Sequence, residues 1–236
     1  MRTDGRQHDE LRPFTIERGV SKYAEGSCLI KMGDTHMLVT ATVEDRVPPF
    51  MKNQGSGWLT SDYNMLARSG RQRNNRDPMK PNGRSLEISR LIGRSMRAVV
   101  DLEKMGERTI SLDCDAIQAD GGTRCAAITA AYVATYDAMR WMIKQRMIKD
   151  ILLFEPMAAV SVGIVRGAEV LDLNYEEDST AHTDMNVVMT ESGKFVEIQG
   201  TAERDPFGVD TLGKMLKIAK KGVDELILAQ KQALEI

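Results

Sequence analysis

The chain has 236 residues, 42% hydrophobic and 28% charged, and 32 basic against 34 acidic side chains leave a formal net charge of −2. That length suits one large domain or two small ones, and the near-neutral charge excludes a globally polybasic nucleic-acid binder, so any such contact needs a local basic patch. Three cysteines (Cys28, Cys114, Cys125) cannot all pair and lack metal-ligand spacing, which predicts a reduced, cytoplasmic protein; the polar opening MRTDGRQHDE is not a signal peptide, and no apolar run reaches membrane-spanning length.

From the N-terminus, the polar segment 1–13 reads as extended, with Arg2, Arg6 and Arg12 expected on the surface. Phe14–Glu17 reads as a short strand. Ser27–Lys31 and His36–Val43 read as a hairpin about Met32-Gly33-Asp34-Thr35, the second strand rich in β-branched residues. Residues 48–57 form a loop and Trp58–Tyr63 a strand. The passage RSGRQRNNRDPMKPNGR (68–84) carries Arg68, Arg71, Arg73, Arg76, Lys80 and Arg84 against one acid, Asp77. It lacks hydrophobic periodicity, so it reads as an exposed basic loop: either a phosphate-backbone contact or a solvated loop without a partner.

Ser85–Lys104 has apolar residues at helical spacing (Ile88, Leu91, Ile92, Met96, Val99, Leu102). It also carries a basic stripe, Arg90, Arg94 and Arg97, suited to salt bridges or a subunit contact. Leu112 opens a strand with Leu112, Cys114 and Ala116 on one face. The strand breaks at Asp120-Gly121-Gly122 and passes into a helix so rich in small and apolar residues that it must be largely buried. Further on, Ala158–Val165 with Val170–Tyr175, and Asn186–Thr190 with Phe195–Gln199, read as two more hairpins, and 208–234 as a closing amphipathic helix. Hairpins followed by a helix in each half predict two βα layers within one domain over 1–236.

Two stretches carry chemistry. A helix N-terminus presents free N–H groups and partial positive charge. At Gly121-Gly122-Thr123-Arg124, glycines allow close backbone approach, Thr123 offers a hydroxyl and Arg124 a fixed positive fork. The reading is a phosphate-sized anion site, the alternative an ordinary strand-to-helix turn. Between 172 and 184, six acidic or imidazole side chains crowd together: Asp172, Glu176, Glu177, Asp178, His182 and Asp184. Their spacing is neither an EF-hand loop nor a zinc site. It suits Mg²⁺ or Mn²⁺ held by one or two carboxylates and water, or else a solvated acidic turn. His182 reads as a surface histidine.

Anion site, acid cluster and basic loop together suit an enzyme of phosphodiesters, and here the letters resemble a known family. RxDGR (Arg2, Asp4, Gly5, Arg6), EGS at 25–27, GDT at 33–35, RLIGRSMR at 90–97, LDCDAIQADGGTR at 112–124, AVSVGIV at 159–165, DLNYEEDSTAHTDMNVVMT at 172–190 and EIQGTAE at 197–203 resemble the ribonuclease PH family, in its bacterial form. The sequence departs from that pattern at Thr3, Ala67, Pro78 and Pro81. The resemblance implies a mixed α/β (α+β) fold of the ribosomal-protein-S5-domain-2-like type and a homohexameric ring, a trimer of dimers. It implies a phosphorolytic 3′→5′ exoribonuclease that trims tRNA precursors, with inorganic phosphate as co-substrate and Mg²⁺ as cofactor. Carried over, Arg84, Thr123 and Arg124 match the phosphate-binding residues, Asp178 and Asp184 the metal-associated acids, and Arg68, Arg73 and Arg76, beside Arg71, the RNA-gripping loop. The alternatives are a non-catalytic RNA-binding ring subunit and a hydrolytic nuclease.

Overall fold

A computed structural model describes residues 2–75 and 82–236 of the protein. In chain order these form β1 (Phe14–Arg18), β2 (Gly26–Met32), β3 (Thr35–Glu44), β4 (Trp58–Met65), α1 (Gly83–Arg97), α2 (Leu102–Met105), β5 (Thr109–Gln118) and α3 (Thr123–Lys144). There follow β6 (Met157–Val165), β7 (Ala168–Leu171), α4 (Tyr175–Asp178), β8 (Thr183–Thr190), β9 (Phe195–Ala202) and α5 (Val209–Leu234).

The strands make two sheets, ordered β1-β2-β3-β5-β4 and β7-β6-β8-β9. All neighbours are antiparallel except β4 and β5, whose parallel pairing is made by the crossover through α1. Period-two burial is clear in β3, where Thr35, Met37, Val39 and Ala41 point inward, and in β5, where Ile110, Leu112, Cys114 and Ala116 do. The Leu112–Cys114–Ala116 face is the one the sequence pattern predicts. Gly33, at φ 53°, turns the β2–β3 hairpin.

Helix α3 lies between the layers, on β2 and β3 of the first sheet and β6 of the second. This explains its composition, since a helix packed on two sides has no wet face to mark with charge. Small side chains also let strand backbones come close. A Cβ built on Gly26 would lie 2.0 Å from the Ala134 carbonyl oxygen, so β2 and α3 touch backbone to backbone. Gly26→Ala is therefore expected to lower stability by at least the ~1–3 kcal/mol typical of overpacking; a urea midpoint equal to wild type would contradict this packing. Helix α5 runs beside α3, touching β1, β6 and β7. Its fully buried Gln230 donates through Nε2 to the carbonyls of Thr129 and Met157, both at 2.9 Å, tying α5 to α3 and β6.

All three cysteines are free and buried. Burial pushes the Cys28 and Cys125 thiols up to about 12 and raises Cys114 as well. Among the described residues no helix is long and apolar enough to cross a membrane.

Three expectations need correction. The helix expected over Ser85–Lys104 stops at Arg97, because Val100 pairs with Leu153 as an isolated β-bridge and Asp101 caps a new turn, α2, through the Lys104 N–H. Hydrophobic spacing ran on through that break because Val99 and Leu102 still face the core. The strand expected to reach Tyr175 ends at Leu171, where Asp172 takes up a left-handed conformation (φ 54°) and redirects the chain into α4. The loop over 48–57 contains one 3₁₀ turn, Pro49–Met51.

Candidate active site

Strand β5 hands over to α3 through two consecutive left-handed glycines, Gly121 (φ 81°) and Gly122 (φ 68°). A side chain is excluded at Gly121 by space as well as conformation, since its Cβ would lie 2.5 Å from the Leu173 carbonyl oxygen. Gly122 is the N-cap of α3 and supplies no side-chain cap, so the first N–H groups of the helix stay available to an external anion. Thr123 is buried at that end. The Tyr63 hydroxyl donates to its Oγ1 at 2.8 Å, which leaves the Thr123 hydroxyl proton free to point elsewhere. Burial raises the pKa of Tyr63, keeping this donor protonated.

Arg124 is aimed from two sides. Its Nη1 donates to Gln199 Oε1 at 3.0 Å and lies 3.6 Å from Glu87 Oε1, and Gln199 Nε2 in turn donates to Glu87 at 3.2 Å. Gln199 comes from β9 and Glu87 from α1, so three elements fix one guanidinium. Tyr63, Gln199 and Glu87 were not singled out from the sequence; their spacing to Thr123 and Arg124 exists only after folding.

Arg84 sits in the first turn of α1, below the Asn82 cap, with no ion-pair partner among the described residues. Asp178 ends α4, whose start is fixed by a reciprocal cap between Asn174 and Glu177. Asp184 is on β8, paired with Gly163 of β6 and Thr201 of β9. The fold brings Arg84, Gly122, Thr123, Arg124, Asp178 and Asp184 to one cleft of about 90 Å³, completed by Ser161, Met185 and Asn186. Asp178 keeps contact with solvent, yet the cleft wall and Asp184 raise its pKa while Arg84 and Arg124 pull it back. The cleft thus sets two arginines and a helix N-terminus against two carboxylates.

A larger recess of about 530 Å³ opens beside it and shares Arg84, Gly122, Thr123 and Asp178. Arg71 lines this recess and lies over the Tyr175 ring, 5.5 Å from its centre. Arg68 and Arg73 are exposed. Arg76 lies outside the described residues. The described part of the loop is anchored rather than free: Ser69 is buried and accepts the Ala119 N–H, and Asn74 donates to Leu66 O and Ser69 Oγ. Of the basic stripe, Arg94 pairs with Glu197 at 2.7 Å and Arg97 stacks over Trp58 at 4.7 Å.

The N-terminal arginines are not surface decoration. Arg2, Arg6 and Arg12 are 7%, 9% and 4% exposed and converge on Asp172 and Glu177. Arg2 grips Glu177 with Nε and Nη2 at 2.8 and 2.7 Å, and Arg12 grips Asp172 with Nε and Nη2 at 3.0 and 2.7 Å. Burial opposes the charge on Arg12, but Asp172 more than offsets it and the pKa rises. The crowded acids therefore divide. Asp172 and Glu177 are neutralised by arginine from far away in sequence, while Asp178 and Asp184 face the cleft. His182 is half-exposed, 3.7 Å from Asp205.

Residues 10–140 match the 3′ exoribonuclease family, domain 1, and residues 155–222 match domain 2 of the same family. Among solved structures, the chain is similar to Rrp46 of rice (Oryza sativa), with TM-score 0.83, 17% identity and all of both chains covered. It is also similar to a chain of the Archaeoglobus fulgidus exosome with RNA bound to the active site, with TM-score 0.79, 24% identity, and 95% of this chain and 91% of that one covered. A chain of an archaeal exosome core aligns with TM-score 0.78 and 23% identity over 98% of this chain and 91% of that one. The mixed two-sheet architecture is the S5-domain-2-like fold that the family resemblance implied.

Proposed function

The chain belongs to the 3′ exoribonuclease family, and from that premise we propose that it is a phosphorolytic 3′→5′ exoribonuclease of the bacterial ribonuclease PH type, trimming the 3′ ends of tRNA precursors in the cytoplasm as a homohexameric trimer of dimers. The observation that carries this reading is the single cleft where Arg84, Thr123, Arg124 and the uncapped N-terminus of α3 meet Asp178 and Asp184.

Inorganic phosphate is bound by Arg84, Arg124, the Thr123 hydroxyl and the N–H groups after Gly122. A phosphate oxygen then bonds to the phosphorus of the terminal phosphodiester, and the bond from that phosphorus to the preceding 3′ oxygen breaks. The products are a nucleoside 5′-diphosphate and an RNA one nucleotide shorter. The leaving 3′ oxygen needs a proton, and Asp178, whose pKa is raised by its surroundings, is the group suited to hold one near it. Positioning and charge carry most of the rate in such a transfer.

The donor set fits Mg²⁺ or Mn²⁺. Asp178 and Asp184 share the cleft, Asp184 makes Asp178 harder to ionise, and among the described residues no three His, Cys, Asp or Glu converge into a closed cage. Two carboxylates with the remaining positions left to water suit a hard cation. When bound, such an ion neutralises charge on the phosphate groups.

RNA is held by the basic loop. Arg68 and Arg73 are exposed beside the recess that Arg71 and Tyr175 line. Replacing both with alanine is expected to weaken RNA binding and to flatten the slope of log K against log salt by about 1.5, at 0.7–0.9 per phosphate contact. An unchanged slope in a salt titration of tRNA binding would argue against the loop as the grip.

Exosome chains share the fold, which keeps a non-catalytic RNA-binding ring subunit as the second reading. Products separate the readings. A short tRNA-like 3′ tail incubated with Mg²⁺ should release diphosphates only when phosphate is present. Monophosphates regardless of phosphate would mean hydrolysis, and RNA binding without products an inert subunit.

A further inference from the structure

The N-terminal arginines lie outside the cleft, yet their hydrogen bonds end on Gly121 and Glu177, the chain neighbours of its lining residues Gly122 and Asp178. Arg12 holds Asp172 through Nε and Nη2, and with the same guanidinium donates to the carbonyls of Asp120 (Nη1, 2.6 Å) and Gly121 (Nη2, 3.3 Å). Thr35, fully buried on β3, completes the hold: its hydroxyl donates to the Gly121 carbonyl at 2.6 Å and accepts the Asp120 N–H at 3.0 Å. Both carbonyls are thereby occupied by donors from Arg12 and Thr35, and the N-cap that follows, Gly122, carries no side-chain cap of its own. On the opposite side, Arg2 and Arg6 both donate to the Asp172 carbonyl at 3.0 Å, and Arg2 holds Glu177, the capping residue beside Asp178.

We propose that Arg12 and Thr35 are positioning residues for phosphate: they clamp the Asp120–Gly121 turn so that the Gly122–Arg124 end of α3 is preset to receive the anion, with Asp172 locking the clamp to the wall that carries Asp178. The proposal rests on the reading of this cleft as a phosphate site. Neither residue lines the cleft. Their effect is on the orientation of the turn, whose two left-handed glycines supply no rigidity of their own.

Arg12→Ala would strand Asp172 in the interior and confuse binding with folding, so two milder variants carry the test. Thr35→Val keeps the volume and removes the hydroxyl. Arg12→Lys keeps a charge opposite Asp172 but has no fork with which to reach both carbonyls. Direct titration with inorganic phosphate, RNA binding, and kcat and KM for phosphate would be measured on the full chain, after melting curves show each variant folded. Each variant is expected to raise the Kd and KM for phosphate about tenfold, the upper range for one lost hydrogen bond, with RNA affinity unchanged. Arg12→Lys should retain more function than Arg12→Ala wherever the latter folds. Wild-type phosphate affinity in both folded variants overturns the proposal and leaves the phosphate site standing. Equal losses of RNA and phosphate affinity also overturn it, as general loosening. A wild-type chain that binds no phosphate removes the site reading and the clamp together.

Discussion

Arg124→Ala is expected to lower phosphorolytic turnover on the order of a hundredfold or more while leaving RNA binding and the folded chain intact. The size follows from the residue's place. Its guanidinium lies in the first turn of α3, where charge would develop in the proposed attack of one phosphate on another, and removing a preorganised donor of that kind typically costs this much in rate. The selectivity follows from its partners. Gln199 and Glu87 hold Arg124, but the side chain is only partly buried and no core charge depends on it. Arg124→Lys should recover a minority of the loss, because an ammonium keeps the charge but not the planar fork that Gln199 orients. Single-turnover rates with filter binding decide the matter. Near-normal phosphorolysis by Arg124→Ala would remove this residue from the mechanism.

Asp172→Ala is expected to lose about 3–5 kcal/mol of stability, the range for breaking a buried ion pair from one side. Asp172 Oδ1 and Oδ2 meet Arg12 at 2.7 and 3.0 Å, Oδ2 also accepts the Arg12 backbone N–H at 2.8 Å, and Arg6 approaches at 3.4 Å. Without the carboxylate, Arg12 is left charged in the interior with two carbonyls, the Thr35 hydroxyl and a carboxylate no nearer than Asp120 at 4.0 Å. Asp172→Asn, which keeps an acceptor and tolerates the left-handed conformation, should cost less. Lys221→Ala, which breaks the half-exposed 2.7 Å pair with Asp9, should leave the midpoint close to wild type. Urea unfolding of the three variants tests the ranking. An Asp172→Ala midpoint near wild type would mean that the arginines find other partners.

These two residues also mark where the sequence was legible and where it was not. The place of Arg124 at the start of α3 was readable because its signal is local: a strand alternating over Leu112, Cys114 and Ala116, two glycines, then a helix of small residues, all within contiguous letters. The same holds for the hairpins of β2–β3, β6–β7 and β8–β9, and for α5. The role of Asp172 was not readable. It belongs to a cluster of acids whose crowding looks like one site, and only folding brings Arg2, Arg6 and Arg12 across some 160 residues or more to neutralise two of them, Asp172 and Glu177. Taken singly, a polar arginine in an irregular N-terminal segment carries no sign that it will be buried. The end of α1 at Arg97 was hidden for a related reason. Val99 and Leu102 continue the apolar spacing, and what breaks the helix is the bridge from Val100 to Leu153, a contact between distant segments. Tyr63, Glu87 and Gln199 likewise gain meaning only through what they touch.

In the proposed reaction inorganic phosphate is the nucleophile. This is tested most directly by incubating unlabelled RNA with the protein, Mg²⁺ and ³²P-labelled inorganic phosphate, then separating the nucleotides released. The label should appear in nucleoside diphosphates, at the β position, in proportion to the shortening of the RNA. RNA that shortens to unlabelled monophosphates while all the label stays in inorganic phosphate would contradict the account.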